Sequence, residues 1–288
     1  MVILIALLMF ASAGLGKWMS TMDEPVDWRQ AVSSELTMID QELNSGVVSA
    51  DLKDQKRLLE HRLENNLPPV QSYSAEEYIL DVPSMLSVVT LFTVIVGAGM
   101  IATEFSTGTI KMLLTRPVKR WKILASKLLT MSLFATVLTA ITVGLGIITS
   151  YLFFESTPAY ILEANNGEIT EVSFWGRVLL LTVLSLVNVL VISVMAFMIG
   201  SVFRSSSLAI GISIFLLFMG TNITYLLSMK FDFAKYILFA NTDLSQFIGG
   251  EPLIEGLTLP FSISVIAIYT VVFLVISFVT FNKRDITA

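Results

Sequence analysis

The chain contains no cysteine and a single histidine, His61. Disulfides, thiolate metal sites and cysteine nucleophiles are therefore excluded, and one imidazole cannot build a histidine cluster. Charge is also scarce: 14% of residues are Asp, Glu, Lys or Arg, where a soluble domain carries roughly a quarter. The 18 basic and 23 acidic side chains leave a net charge of −5, which lacks the positive excess of a nucleic-acid binder. A phosphate-binding loop is missing too. Gly14-Leu15-Gly16-Lys17 has neither the spacing nor the Ser or Thr that would seat a phosphate and a magnesium ion. The chain thus shows no ATPase or other catalytic motif, and neither enzyme activity of its own nor a bound cofactor or metal is expected.

What the sequence does hold is apolar surface. Hydrophobic residues make up 55% of its 288 positions, and the mean hydropathy is +0.78. A lipid-spanning helix needs ~20 predominantly apolar residues. Six charge-free stretches answer to that description: Met1–Gly16, Val82–Thr103, Leu128–Phe154, Val178–Phe203, Ser205–Met229 and Leu257–Phe281. The fold class expected is an all-α polytopic membrane protein. Its parts are a first transmembrane helix at 1–17, a polar region at 18–81, a second helix at 82–103 and a loop at 104–127. Four more spans at 128–281 and a tail at 282–288 complete it.

Orientation follows from where Lys and Arg gather, since such residues are retained on the cytoplasmic side. Lys111, Arg116, Lys119, Arg120, Lys122 and Lys127 crowd the loop after the second span against one acid, Glu104. Arg204, Lys283 and Arg284 fall on the same side. The opposite loops are acidic, with thirteen acids against six bases over 17–82. Both termini are then cytoplasmic, in a multi-pass protein of a bacterial plasma membrane. The first span is expected to be a retained helix. Ala11-Ser12-Ala13 also resembles a signal-peptidase site, and a missing cytoplasmic leader is a third alternative.

The polar region has helical periodicity. Asp27 caps a helix whose Val32, Leu36, Ile39 and Leu43 share one face, and Asn44-Ser45-Gly46 stops it. A second helix starts near Ser49, puts Leu52, Leu59 and Leu63 on one side, and ends at Asn65-Asn66 before Pro68-Pro69. Ser74 and Glu77 form a capping-box pattern ahead of the second span. An extracytoplasmic helical hairpin between spans one and two results. It is either a sensor or gate, or a solvated element packed on a dimer mate. His61, on the polar side of the second helix, is expected to be a surface residue, with a pH-sensing role as the alternative.

The loop after the second span carries the most informative pattern. Ser106 or Thr107 can cap a short amphipathic helix with Ile110, Leu113 and Leu114 on one face, broken at Pro117. Its residues Glu104, Phe105, Ser106, Gly108, Thr109, Ile110, Leu113, Leu114, Pro117 and Arg120 resemble the signature of ABC-2 type ATP-binding-cassette transporter permeases. The six-span plan and the large outside segment extend the likeness over most of the chain. The resemblance implies the permease subunit of an ATP-driven exporter. Its loop, with Glu104, Ser106, Thr107, Gly108, Thr109, Ile110, Leu113, Leu114 and Arg116, would seat in a cytoplasmic ATPase subunit that holds the ATP and magnesium. Also implied are a second permease copy or paralogue, and interfacial helices in the aromatic segment 230–256. The alternative is a non-transporting membrane sensor or scaffold acting through its outside hairpin.

Ionisable residues are missing from the six charge-free stretches, where they would mark ion or proton relays, and this argues against a secondary carrier. The polar residues there, including Thr90, Thr93, Thr136 and Thr142, serve as interhelical hydrogen-bonding glue or line a path. Asn188, Thr139 and Asn222 are the path candidates, Asn188 foremost as an amide in mid-span. The cargo stays open among amphiphilic drugs, peptides, lipids and cations.

Overall fold

The computed structural model of the protein describes residues 1–22, 27–45, 50–109, 119–165, 168–203, 205–248, 252 and 254–283. Among these residues six helices are long and apolar enough to cross a membrane: α1 Val2–Ser20, α4 Ala75–Ser106, α5 Arg120–Phe153, α6 Phe174–Val202, α7 Ser206–Ser228 and α9 Leu259–Lys283. Between α1 and α4 lie two shorter helices, α2 Trp28–Asn44 and α3 Ala50–Asn65. Helices α4 and α5 exceed their charge-free stretches because charge ends a lipid-buried length without ending a helix. Glu76, Glu77 and Asp81 lengthen α4 at its start, and Arg120, Lys122 and Lys127 do the same for α5.

The chain divides into two compact units, one of Val2–Pro83 and Val143–Leu181, the other of Met1, Ser84–Thr142 and Thr182–Ala288. In the first unit α2 and α3 bury Val32, Ile39 and Leu59, with Leu36, Leu43, Leu52 and Leu63 packed around them. Asp27 caps α2 by accepting the Arg29 N–H. Asn66, at φ 54°, closes α3 in the left-handed conformation that asparagine tolerates. Lys56 of α3 donates to Asp40 of α2 at 2.6 Å. Tyr78 of α4 donates to the Met9 carbonyl of α1 at 3.0 Å. The capping box forms at the head of α4, where the Glu77 N–H donates to Ser74 Oγ at 3.1 Å and the Tyr73 N–H donates to the Glu77 carboxylate.

Between α5 and α6 lies an antiparallel ribbon of β1 Ile161–Asn165 and β2 Glu168–Val172. Its register pairs Ile161 with Val172 and Asn165 with Glu168. Arg177, which is buried, forms an ion pair with Glu163 of β1. Arg62 of α3 donates to the Tyr160 carbonyl at 3.0 Å, so the ribbon is anchored to both α3 and α6.

The second unit has the larger core, built around Val94, Ala98, Ile101, Leu124, Met131, Ile192, Met195 and Phe197. Small residues let α4 and α6 approach backbone to backbone. A Cβ on Gly200 would lie 2.2 Å from the Ala98 carbonyl oxygen, and one on Gly97 would lie 3.2 Å from that of Ser193. The outer faces of α7 and α9 keep Phe215, Phe218, Leu226, Ile268 and Val271 exposed, as faces that meet lipid or another chain do.

Candidate functional site

Two places in the second unit gather the residues of interest. The first is the base from which the motif-bearing segment leaves α4 and returns to α5. Glu104, in the last turn of α4, pairs with Lys127 of α5 at 2.6 Å, and the same ammonium donates to the Met100 carbonyl at 3.2 Å. The two side chains are 22% and 16% exposed, so water screens the pair only partly. The other carboxylate oxygen, Glu104 Oε2, is buried and has no partner among the described residues. Phe105 meets Phe281 edge-on at 6.3 Å, and Arg120 donates to the Asn282 carbonyl at 3.2 Å. The ends of α4, α5 and α9 are thereby tied together.

Ser106 and Thr107 belong to the exit from α4. Their hydroxyls turn back to the Thr103 carbonyl at 3.0 and 2.8 Å. Gly108 has φ 75°, and its N–H donates to the Phe105 carbonyl at 3.3 Å. This is the left-handed stop that glycine supplies after a helix. The Thr109 hydroxyl lies 3.0 Å from that of Thr107. Ile110, Leu113, Leu114 and Arg116 lie outside the described residues, and so does the short helix expected there.

The second place is a pocket of about 390 Å³. Asn188 and Ile192 of α6 and Leu217 and Thr221 of α7 form part of it. The rest comes from the segment before α9, through Phe239, Ala240, Thr242, Asp243 and Gln246. That segment was expected to make interfacial helices. It is instead a chain of short turns, with 3-10 turns at Asp232–Tyr236 and Leu244–Phe247 flanking the one-turn α8 at Leu238–Asn241. The turns are fixed by polar groups. The buried Asn241 donates to the carbonyls of Lys235 and Ile237, both at 2.9 Å, and accepts from the Ser262 hydroxyl of α9 at 2.8 Å. Asp243 caps the last turn by accepting from the Ser245 N–H at 3.0 Å. Phe239 lies against Gly220 of α7, where a Cβ would come within 2.5 Å of the ring.

Of the three path candidates, only Asn188 lines this pocket. Thr139 is buried at 2% exposure with its hydroxyl unpartnered among the described residues. Asn222 is on the exposed side of α7 and donates to the Phe218 carbonyl of its own helix at 2.9 Å. Sequence reasoning missed Thr221, one residue away, and also Thr242, Asp243 and Gln246. The threonines expected to bridge helices mostly do not: Thr90, Thr136 and Thr142 donate to the carbonyls of Leu86, Ser132 and Leu138. A carbonyl four residues back is always within reach in a helix, whichever neighbour packs outside.

Six long apolar helices define a multi-pass, essentially all-helical membrane protein. Residues 60–287 match the family described as a protein of unknown function (DUF2705), and the chain belongs to that family. It is similar to the Bacillus subtilis (strain 168) "Uncharacterized protein YhcI", at 37% identity over 291 residues, covering 99% of this chain and 93% of that one. It is also similar to the "Uncharacterized membrane protein YdbK" of the same organism, at 29% identity over 216 residues, 73% of this chain and 82% of the other.

Proposed function

We propose that the chain is the membrane subunit of an ATP-driven exporter of the ABC-2 type. Two such subunits, identical or paired with a paralogue, would bind two cytoplasmic ATPase subunits that carry the ATP and magnesium. The observation that carries this reading is the base beneath the motif segment. A coupling element must transmit force to the spans, and a segment joining α4 to α5, whose ends are tied to each other by an ion pair and to α9 by a ring contact and a hydrogen bond, meets that requirement. ATP binding would draw the ATPase subunits together, the 106–116 segments would follow, and α4 and α5 would tilt to open a path outward.

In this reading the Lys- and Arg-rich ends face the cytoplasm of a bacterial cell, both termini are inside, and the α2–α3 pair with the β-ribbon stands outside. The packed core of α2 and α3 also supports a second reading, in which the outside pair binds a ligand or partner and nothing is transported.

The two readings separate on purification of the tagged chain in mild detergent from its native cells. An ATP-binding-cassette subunit recovered in stoichiometric amount supports the exporter. Recovery of the chain with no nucleotide-binding partner contradicts it and moves the weight to the outside pair.

A further inference from the structure

The pocket between α6, α7 and the turns before α9 has an unusual polar lining. Most hydroxyls in these helices satisfy themselves on their own backbone, as Thr224 does on the Gly220 carbonyl at 2.8 Å. The side chains of Asn188, Thr221 and Thr242 have no hydrogen-bond partner among the described residues, and all three line the pocket. Of these, Thr242 is buried, Asn188 is half-buried and Thr221 is exposed; a polar group loses free energy on burial unless something satisfies it. Asp243, which is exposed, is the charged residue of the lining among the described residues. Its Oδ1 is held by Ser245, which leaves Oδ2 without a hydrogen bond among the described residues. Phe239 and Leu217 add apolar surface to the same lining.

We infer that this pocket is a binding site for a small amphiphilic organic cation, a primary amine on an aromatic or aliphatic body. The ammonium would sit at Asp243 and donate to Thr242 or to the Asn188 carbonyl oxygen, with the apolar body against Phe239 and Leu217. A volume of about 390 Å³ lies within the range of small-molecule sites and far exceeds a bare metal ion. The apolar surface would be wasted on an inorganic cation. Naming this ligand as exported cargo rests on the exporter reading; binding itself does not, so the test uses the chain without any ATPase.

The purified chain in neutral-lipid nanodiscs is titrated calorimetrically with 4-phenylbutylamine and with its uncharged counterpart 4-phenylbutanol, each corrected for empty nanodiscs. The amine should bind saturably and the alcohol roughly tenfold more weakly, the size of one charge-assisted hydrogen bond. Asp243→Asn should bring the amine down to the level of the alcohol. Because Asp243 also caps a turn, Asn188→Leu serves as a second variant. It fills the pocket from the α6 side and should weaken both ligands. Saturable amine binding that Asn188→Leu leaves unchanged would overturn the site, as would equal affinity of amine and alcohol, or no binding of either. Binding as expected in a chain that recruits no ATPase would keep the pocket and remove the exporter.

Discussion

At the scale of single residues, the account rests on close approaches and on one ion pair. Gly200 admits the Ala98 carbonyl to a distance that any Cβ would violate, at 2.2 Å. Backbone cannot yield as a side chain tip can, so Gly200→Ala has to push α4 and α6 apart. Overpacking of this kind costs about 1–3 kcal/mol. We expect the variant to insert normally but to lose its monodisperse elution at a lower temperature than the parent, as read by size-exclusion chromatography after heating. An unchanged temperature would contradict the tight crossing. The Glu104–Lys127 pair makes a different prediction. Glu104→Gln or Lys127→Met alone should each destabilise by about 1.5–3 kcal/mol, the range for hydrogen bonds to charged groups. The double variant should cost less than the sum of the two, because each single change leaves a half-buried charge behind. Strict additivity in this cycle would show that the pair is not coupled.

At the scale of elements, the sequence was most readable where one force dominates. The spans stand out because each is a long apolar run. The apolar positions along 28–44 and 50–65 are the ones that α2 and α3 bury, because surface helices are organised by a single stripe. The ribbon β1–β2 was legible but overlooked. Asn166-Gly167 between two five-residue runs is a strong short hairpin signal, hidden beneath the acidity of Glu163, Glu168 and Glu171. The turns before α9 were not legible, since they depend on Asn241 reaching Ser262, 21 residues ahead. Nor was the pocket, whose Asp243 and Thr242 come from those turns and whose Asn188 comes from a helix far upstream. Gly108 was noted for its motif alone; its positive φ adds a physical reason for glycine there, the stop of α4. The α2–α3 core is small, so it can be perturbed by itself. Leu59→Ala, at a residue 7% exposed, should cost about 2 kcal/mol, the low end for such truncations. Hydrogen exchange should then quicken across 28–65 while the cores of α4 to α6 stay protected. Unchanged exchange over 28–65 would refute the shared core.

At the scale of the whole molecule, the absence of cysteine makes the proposed orientation easy to test. Every introduced thiol is the only one in the chain. A cysteine at Asp54 or Glu168 should react with a membrane-impermeant maleimide in intact cells, whereas one at Lys119 or Lys283 should react only after the cells are broken. The reverse pattern would invert the topology and place the motif segment out of reach of any cytoplasmic partner. The central claim, that this chain is driven by ATP hydrolysed on another subunit, is tested most directly by ATPase activity in the purified material. Leu113→Asp is the variant to compare with the parent, because it puts a charge among the apolar residues of the motif without touching the glycine stop at Gly108. The account predicts vanadate-sensitive hydrolysis that co-purifies with the parent chain and is lost with Leu113→Asp, although the variant still inserts in the membrane. Material without hydrolysis, or hydrolysis fully retained in the variant, would contradict it.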